Sequence, residues 1–142
     1  MLYVSDLMST NLFTLKQTDS LKTARSLMSL ARIRHIPIVD ESGFFLGLLT
    51  HRDLLSSTVS RFADVGQDVQ DEIDAGIPVS EIMRTDVLTV TPDTRLRSAA
   101  EILFNHKYGC LPVVEKDRLV GILTEADFLK LTITLMDAVE AL

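Results

Sequence analysis

Two short polar segments, each set between leucine-rich stretches, carry the residues of this chain best suited to chemistry. Thr50 and Asp53 are three residues apart, and Thr124 and Asp127 repeat that spacing near the other end of the chain. The spacing is typical of a capping box, in which hydroxyl and carboxylate accept from each other's backbone amides at a helix start. A carboxylate can also accept from the hydroxyls of a ribose, and a helix N-terminus favours a phosphate. Capping and ligand binding are compatible interpretations, and both stay open.

The two polar segments belong to a longer internal repeat. The opening V-S-D-L-M-S-T at residues 4–10 returns as V-S-E-I-M-R-T at 79–85, and I-P-I-V at 36–39 returns as L-P-V-V at 111–114. One residue is missing from the second copy in its turn, a change that a surface loop tolerates. The chain is therefore interpreted as a tandem duplication.

Each copy predicts a strand, a helix, two strands and a final helix, which is an α+β pattern. The first strand is expected at 13–15, and capping residues at 18–20 precede the first helix, as residues 91–94 do in the second copy. An acidic stretch with apolar residues at near-helical spacing separates the copies. We predict a first unit at residues 1–57, a linking helix at 58–77, and a second unit with a C-terminal helix at 78–142.

Composition argues against several classes of protein. The net charge of −6 disfavours broad contact with nucleic acid or an anionic membrane, since both need clustered Lys and Arg. Cys110 is the single cysteine, so no internal disulfide is possible and a reducing cytoplasmic location is expected. The start of the sequence lacks a signal-peptide pattern, and no apolar run approaches the roughly 20 residues of a membrane span.

The repeated opening, the apolar-Pro-(Val/Ile)-Val segments and the two G-h-h-T-x-x-D endings, where h is apolar, resemble a tandem pair of CBS domains, named after cystathionine beta-synthase. The resemblance covers nearly the whole chain. It implies two pseudo-symmetric β-α-β-β-α units packed sheet to sheet as one pair. It also implies two clefts for adenine nucleotides or related adenosyl compounds, a homodimer, and ligand control of an attached or partner protein.

The resemblance also implies which residues would line the clefts, each cleft mixing the two units. Tyr108 could stack on an adenine, whereas its counterpart Ile33 could make only apolar contact. The first cleft would combine Thr50 and Asp53 with Thr89, Tyr108 and Gly109, and the second would combine Thr124 and Asp127 with Thr14, Ile33 and Arg34.

Charge is expected to make the two clefts unequal. His51 and Arg52 follow the first threonine, and Arg52 could hold a phosphate by a bidentate contact. Glu125 stands at the corresponding place in the second copy and would repel a phosphate. We therefore predict the tighter phosphate site beside Asp53. The cations that could compensate in the other cleft are Arg34 and His35.

These inferences predict a noncatalytic regulatory sensor of AMP, ADP, ATP or another adenosyl ligand. It would require no cofactor and would act on a separate, unknown partner protein. One alternative is a structural dimerisation module with empty clefts, and the apolar C-terminal helix favours a dimer face in either case. A third possibility is a hydrolase using Cys110 with His106, although a lone cysteine before an apolar strand is more typical of a core. The three histidines show no metal-ligand spacing, so no metal site is predicted.

Overall fold

The computed structural model describes residues 1–58, 66–107 and 109–142. The chain divides into two compact units. We call Phe13–Val87 the continuous unit, and Met1–Leu12 together with Leu88–Leu142 the split unit. Each contains an antiparallel two-stranded sheet with helices, which confirms the predicted α+β class and the duplicated architecture.

The elements follow the duplicated order along the chain. A short 3₁₀ turn, Val79–Glu81, takes the place of the first helix in the second copy. Gln67–Ala75 lies inside the predicted linking helix, whose residues 59–65 fall outside the described part of the chain. The helices and strands are α1 (Val4–Leu7), α2 (Leu21–Ala31), β1 (His35–Val39), β2 (Phe45–Thr50), α3 (His51–Thr58), α4 (Gln67–Ala75), α5 (Leu96–His106), β3 (Cys110–Glu115), β4 (Arg118–Thr124) and α6 (Glu125–Glu140).

The starts of α2 and α5 differ although the two helices are repeats of each other. Ser20 caps α2, accepting a hydrogen bond from the amide of Thr23 at 3.2 Å, as expected. The capping prediction for residues 91–94 was wrong. Those residues form a turn in which the Thr91 amide donates to Thr94 Oγ1, and α5 begins only at Leu96 without a side-chain cap.

The first predicted strand of each copy is reduced to a single parallel bridge. Leu15 pairs with Ile38, receiving the Val39 amide and donating to the Pro37 carbonyl. The next bond of a parallel ladder would come from the nitrogen of Pro37, which carries no hydrogen. Proline in the neighbouring strand therefore prevents the ladder from extending back to Phe13. Val90 makes the equivalent bridge to Val113 in the split unit.

The opening segment of each repeat packs in the unit formed by the rest of the other repeat. Ser9 bridges Ile122 in the split unit, and Arg84 bridges Leu48 in the continuous unit. The compact units therefore differ from the predicted boundaries 1–57, 58–77 and 78–142, which follow the sequence repeat. The physical reason is that these segments complete the hairpins by main-chain hydrogen bonds and insert a buried valine into each core. The core residues of the split unit are Val4, Val90, Leu96, Ala99, Leu103, Leu111, Val113 and Leu123, and those of the continuous unit are Leu21, Ala24, Met28, Ile36, Ile38, Leu49, Leu54 and Val79.

Helix α4 is held against α2 by a buried carboxylate. Asp74 is 0% exposed and accepts hydrogen bonds from Arg25 Nε at 2.9 Å and from Gln70 Nε2 at 3.0 Å. A buried charge is tolerated when it is paired and hydrogen-bonded, as it is in this case. The described helices include none with both the length and the hydropathy needed to cross a membrane.

Candidate ligand-binding motifs

The Asp53 motif (residues 50–53) lies where β2 passes directly into α3. Thr50 is the last residue of the strand, and its Oγ1 accepts the Asp53 amide at 3.1 Å. Asp53 Oδ2 accepts the Thr50 amide in return, at 3.4 Å. The predicted capping box is confirmed, and it fixes the carboxylate at the first turn of the helix.

The Asp127 motif (residues 124–127) repeats this geometry between β4 and α6. Thr124 Oγ1 accepts the Asp127 amide at 3.3 Å, and Asp127 Oδ2 accepts the Thr124 amide at 2.8 Å. The Thr124 hydroxyl also donates to Oδ2, at 3.2 Å. The cap therefore engages one carboxylate oxygen of Asp127 and leaves Oδ1 out of these bonds.

The segment before each proline-containing strand lies beside the motif of its own unit. The Arg34 carbonyl accepts the His51 amide at 2.8 Å, and the Gly109 carbonyl accepts the Glu125 amide at 3.1 Å. Ile33 packs partly on the core of the continuous unit. Gly109 has a φ of 79°, a left-handed conformation that favours glycine. The remaining residue of the predicted set in this segment, Tyr108, lies outside the described residues.

The two threonines of the predicted clefts lie beside the single parallel bridges. Thr14 precedes Leu15 in the continuous unit and is half-buried, whereas Thr89 precedes Val90 in the split unit and is exposed. Each unit therefore contains one of the two cleft threonines, one of the two segments that precede a proline-containing strand, and one Thr-x-x-Asp motif. The predicted clefts that combine residues of both units remain a prediction.

Charged side chains around the motifs differ between the units. His51 and Arg52 are exposed on the first turn of α3, and Arg34 is exposed before β1. At the first turn of α6 the exposed charged residue is Glu125. On the first turn of the helix, His51 and Arg52 in the continuous unit thus stand where the split unit has Glu125. Arg34, which was assigned to the cleft of Asp127, belongs to the continuous unit.

Arg84 is a residue of the Asp53 motif's surroundings that the sequence analysis missed. Its Nη2 donates to Asp53 Oδ1 at 2.9 Å, and its Nε is 3.1 Å from both carboxylate oxygens. Burial works against ionisation of Asp53, but the hydrogen bonds from Arg84 and Thr50 and the charge of Arg84 outweigh it, so the pKa of this carboxyl is lowered. The sequence carried one indication of this difference, because the repeat aligns Arg84 with Ser9.

Cys110 has the surroundings of a core residue. Its side chain is 0% exposed at the start of β3, and burial raises the pKa of the thiol to about 12. A nucleophilic cysteine needs the opposite, a lowered pKa and access to substrate. The geometry therefore gives no support to the hydrolase alternative. Within the described residues there is also no group of three or more His, Cys, Asp or Glu side chains arranged to hold a metal ion.

Comparison with known proteins decides the family. The sequence profile of the CBS domain matches residues 4–60 and again residues 79–141. The chain belongs to the CBS domain family. The two matches follow the sequence repeat and make the chain a CBS pair.

The CBS pair is similar to solved structures over most of its length. It is 39% identical to a Vibrio cholerae protein named acetoin utilization protein AcuB, with a TM-score of 0.83 over 100% of this chain and 98% of that one. It is 26% identical to Arabidopsis thaliana CBSX2 solved in complex with AMP, with a TM-score of 0.80 over 96% and 99% of the two chains. It is also 26% identical to the CBS domain pair of protein MJ0100 in complex with 5′-methylthioadenosine and S-adenosyl-L-methionine, with a TM-score of 0.76 over 92% and 94%.

Relatives in sequence differ in how much of their length the CBS pair covers. The CBS domain-containing protein YhcV of Bacillus subtilis is 33% identical, over 87% of this chain and 81% of its own. A homoserine O-acetyltransferase of Methanococcoides burtonii is 30% identical over 90% of this chain, but the match covers only 24% of that enzyme. The similarity to the transferase is therefore confined to a small part of its chain.

Proposed function

We propose that this CBS pair binds an adenosyl compound at its Thr-x-x-Asp motifs and that binding regulates a separate partner protein without catalysis. The observation that carries the proposal is the half-buried carboxylate of Asp127. Its hydrogen bonds from Thr124 all go to Oδ2, and among the described residues no cation is paired with it. Oδ1 can therefore accept from a ligand hydroxyl.

The proposed ligand class follows from the chemistry of the motif. A fixed carboxylate selects a group with neighbouring hydroxyl donors, and a ribose offers two of them. AMP, S-adenosyl-L-methionine and 5′-methylthioadenosine, the ligands of the two similar structures, share an adenine-linked ribose and differ in the group at its 5′ carbon. The choice among AMP, ADP, ATP and S-adenosyl-L-methionine thus depends on contacts beyond the motif carboxylate.

The proposed binding residues are the predicted ones, in two sets that each include one motif. His51 and Arg52 would attract a phosphate at the Asp53 motif, and the amides at the start of α6 would do so at the Asp127 motif. The two sets are Thr50, His51, Arg52 and Asp53 with Thr89, Tyr108 and Gly109, and Thr124 and Asp127 with Thr14, Ile33 and Arg34.

Calorimetric titration of the purified protein with AMP, ADP, ATP and S-adenosyl-L-methionine tests the proposed function. We expect saturable binding of at least one of the four, with the preferred compound identifying the sensed ligand. Uridine monophosphate serves as a control that keeps the ribose and phosphate but not the adenine. Absence of binding by all four compounds, in a folded sample freed of carried-over nucleotide, would contradict the proposal.

We further propose that the protein is a cytoplasmic homodimer and that α6 supplies a dimer face. No residue of α6 is buried, although it carries a long series of apolar side chains. A single apolar residue on a surface is ordinary, but a contiguous exposed series indicates an interaction site. The exposed apolar residues of α6 are Leu129, Ile133, Leu135, Met136 and Val139, at 56–66% exposure.

The dimer proposal is tested by light scattering on Ile133→Glu. We expect the wild-type protein to be a dimer and Ile133→Glu to shift it to monomer at micromolar concentration, because the charge would be buried in the interface. Leu30→Glu is the matched control, since Leu30 is an exposed leucine of α2, at 86% exposure, and lies off α6. A monomeric wild type, or a dimer unaffected by Ile133→Glu, would contradict a role for this face.

A structural dimerisation module is the second candidate function. It is favoured by the same exposed face of α6 and by the ion pair that already engages Asp53. The titration separates the two candidates, because a scaffold with empty clefts dimerises without binding any of the four compounds. A sensor, in contrast, must bind its ligand with unequal affinity in two states in order to regulate a partner.

A further inference from the structure

Arg84 donates to Oδ1 of Asp53. The corresponding oxygen of Asp127, its Oδ1, takes no part in the capping bonds. The guanidinium reaches Oδ1 with both Nη2 and Nε, at 2.9 and 3.1 Å, while the capping bond uses Oδ2. Asp53 is 12% exposed and Arg84 is 50% exposed. The carboxylate is therefore largely buried, whereas half of the arginine side chain is exposed.

The repeat supplies an internal comparison for this ion pair. Arg84 bridges Leu48, five residues before Asp53, and Ser9 bridges Ile122, five residues before Asp127. Leu48 and Ile122 also occupy equivalent positions in their two hairpins, because each pairs with the proline of the neighbouring strand. The two side chains thus start from equivalent backbone positions, and only the arginine is long enough to reach the carboxylate.

An arginine bound to Asp53 competes directly with a ribose. A carboxylate oxygen has a limited number of acceptor positions, and the guanidinium donates twice to Oδ1, the oxygen that the capping bond leaves for a ribose diol, as well as once to Oδ2. Accepting the diol at Asp53 requires breaking or sharing the contact with Arg84. At Asp127 the same step breaks no ion pair among the described residues.

We infer that Arg84 is a specificity-determining residue that closes the Asp53 motif to a ribose diol, so that ribose binds the Asp127 motif more tightly. This inference rests on the proposed function and reverses the ranking predicted from the sequence, where Arg52 and His51 favoured the Asp53 motif. Those two residues act on a phosphate, whereas Arg84 acts on the carboxylate that the sugar needs. A ligand without a phosphate isolates the effect of Arg84.

The inference is tested by exchanging the two equivalent residues. Arg84→Ser places beside the Asp53 motif the serine that position 9 supplies beside the Asp127 motif. Ser9→Arg gives the Asp127 motif a side chain that can pair with its carboxylate. Adenosine is the probe, because it has the diol and lacks the phosphate. Amide chemical-shift titrations of the full chain follow Asp53 and Asp127 separately, so each motif reports its own affinity.

We expect Arg84→Ser to tighten adenosine binding at Asp53 about fivefold, the scale of an exposed ion pair. Ser9→Arg should weaken binding at Asp127 by a similar factor. With 2′,3′-dideoxyadenosine, which lacks both hydroxyls, neither substitution should change the affinity. Arg97→Ser is the matched control for lost charge, since Arg97 is 91% exposed and, among the residues that the structure describes, pairs only with Glu101 on its own helix.

Two results would overturn the inference. One is an unchanged or weaker response of Asp53 to adenosine in Arg84→Ser, and the other is a gain of the same size with the dideoxy compound. Both leave the proposed function standing if Asp127 responds in the wild type. A lack of response at either motif to adenosine and to AMP, in every variant, would instead refute the proposed function and this inference together.

Discussion

At the scale of single residues, the same side chain type is given different roles by its neighbours. Asp53 and Asp127 both close a capping box, but within the described parts of the chain only Asp53 is paired with an arginine. The pairing holds the pKa of Asp53 below its ordinary value despite the opposing effect of burial. Ionisation of Asp53 is therefore coupled to the stability of the fold.

We expect the contribution of Asp53 to stability to depend on pH. The folded pKa is lower than the unfolded one, so the stabilisation is complete above the unfolded pKa and is lost as the pH falls through the folded value. At neutral pH, Asp53→Asn should lower the free energy of unfolding by about 0.5–1 kcal/mol, and the difference should begin to shrink at about pH 4 and vanish only below the folded pKa.

Urea unfolding of both proteins at pH 7, 5 and 3 measures this dependence. Introducing Asp53→Asn into an Arg84→Ser background serves as the control, because the substitution should then cost less at pH 7. A cost that is the same at pH 3 and pH 7, or one that grows as the pH falls, would contradict the ion pair as the cause.

Burial of Cys110 predicts an unreactive thiol. At a pKa of about 12 very little thiolate is present near neutrality, and the side chain is out of contact with solvent. We expect iodoacetamide at pH 8 to alkylate the folded protein about 100-fold more slowly than the protein in guanidinium chloride, as followed by mass spectrometry. Equal rates in the two conditions would show that the thiol is accessible and would reopen the nucleophile question.

At the scale of elements, each hairpin needs a glycine where the opening segment of the other repeat crosses it. A Cβ on Gly47 would lie 2.6 Å from the Arg84 carbonyl oxygen, a backbone atom that cannot move alone. A Cβ on Gly121 would lie 2.7 Å from the sulfur of Met8, the far part of a flexible side chain, and 3.1 Å from the Ser9 carbonyl. The two positions are equivalent in sequence but differ in what blocks them.

We therefore expect Gly47→Ala to destabilise the protein more than Gly121→Ala does. Costs of about 2–3 kcal/mol and about 1–2 kcal/mol are reasonable for overpacking against backbone and against a side chain. Urea unfolding of the two variants, with Gly66→Ala as a control where a Cβ meets no described residue within 4 Å, measures the difference. A larger cost at Gly121 would show that the contact with Met8 is the less adaptable one.

The repeat made most of the elements predictable. The features that the sequence did not predict depend on contacts between residues far apart in the chain. Helical spacing and Ser20 marked α2, and apolar runs marked the hairpins. The loss of the first strand followed from Pro37 once the partner strand was known, but no sequence pattern states which strand lies beside residues 13–15. Arg84 was missed for the same reason, since its partner is Asp53, in a different repeat.

At the scale of the whole molecule, duplication produced two units of one design whose motifs differ in their charged neighbours. The family and the predicted class are confirmed by two CBS matches and by solved CBS pairs. The residues of the clefts, the dimer and the regulated partner remain proposals. The central claim is that the motif carboxylates accept hydrogen bonds from the hydroxyls of a ligand, and that Asp127 is the stronger acceptor.

The most direct test of that claim is calorimetric titration of AMP into Asp127→Ala. Loss of hydrogen bonds to a charged group predicts binding weaker by about 10- to 100-fold than in the wild type. Glu101→Ala, which removes an exposed carboxylate far from either motif in sequence, is the matched control and should bind AMP normally. If AMP binds the wild type, Asp127→Ala and Asp53→Ala with one affinity, the motif carboxylates are not ligand acceptors and the account is wrong.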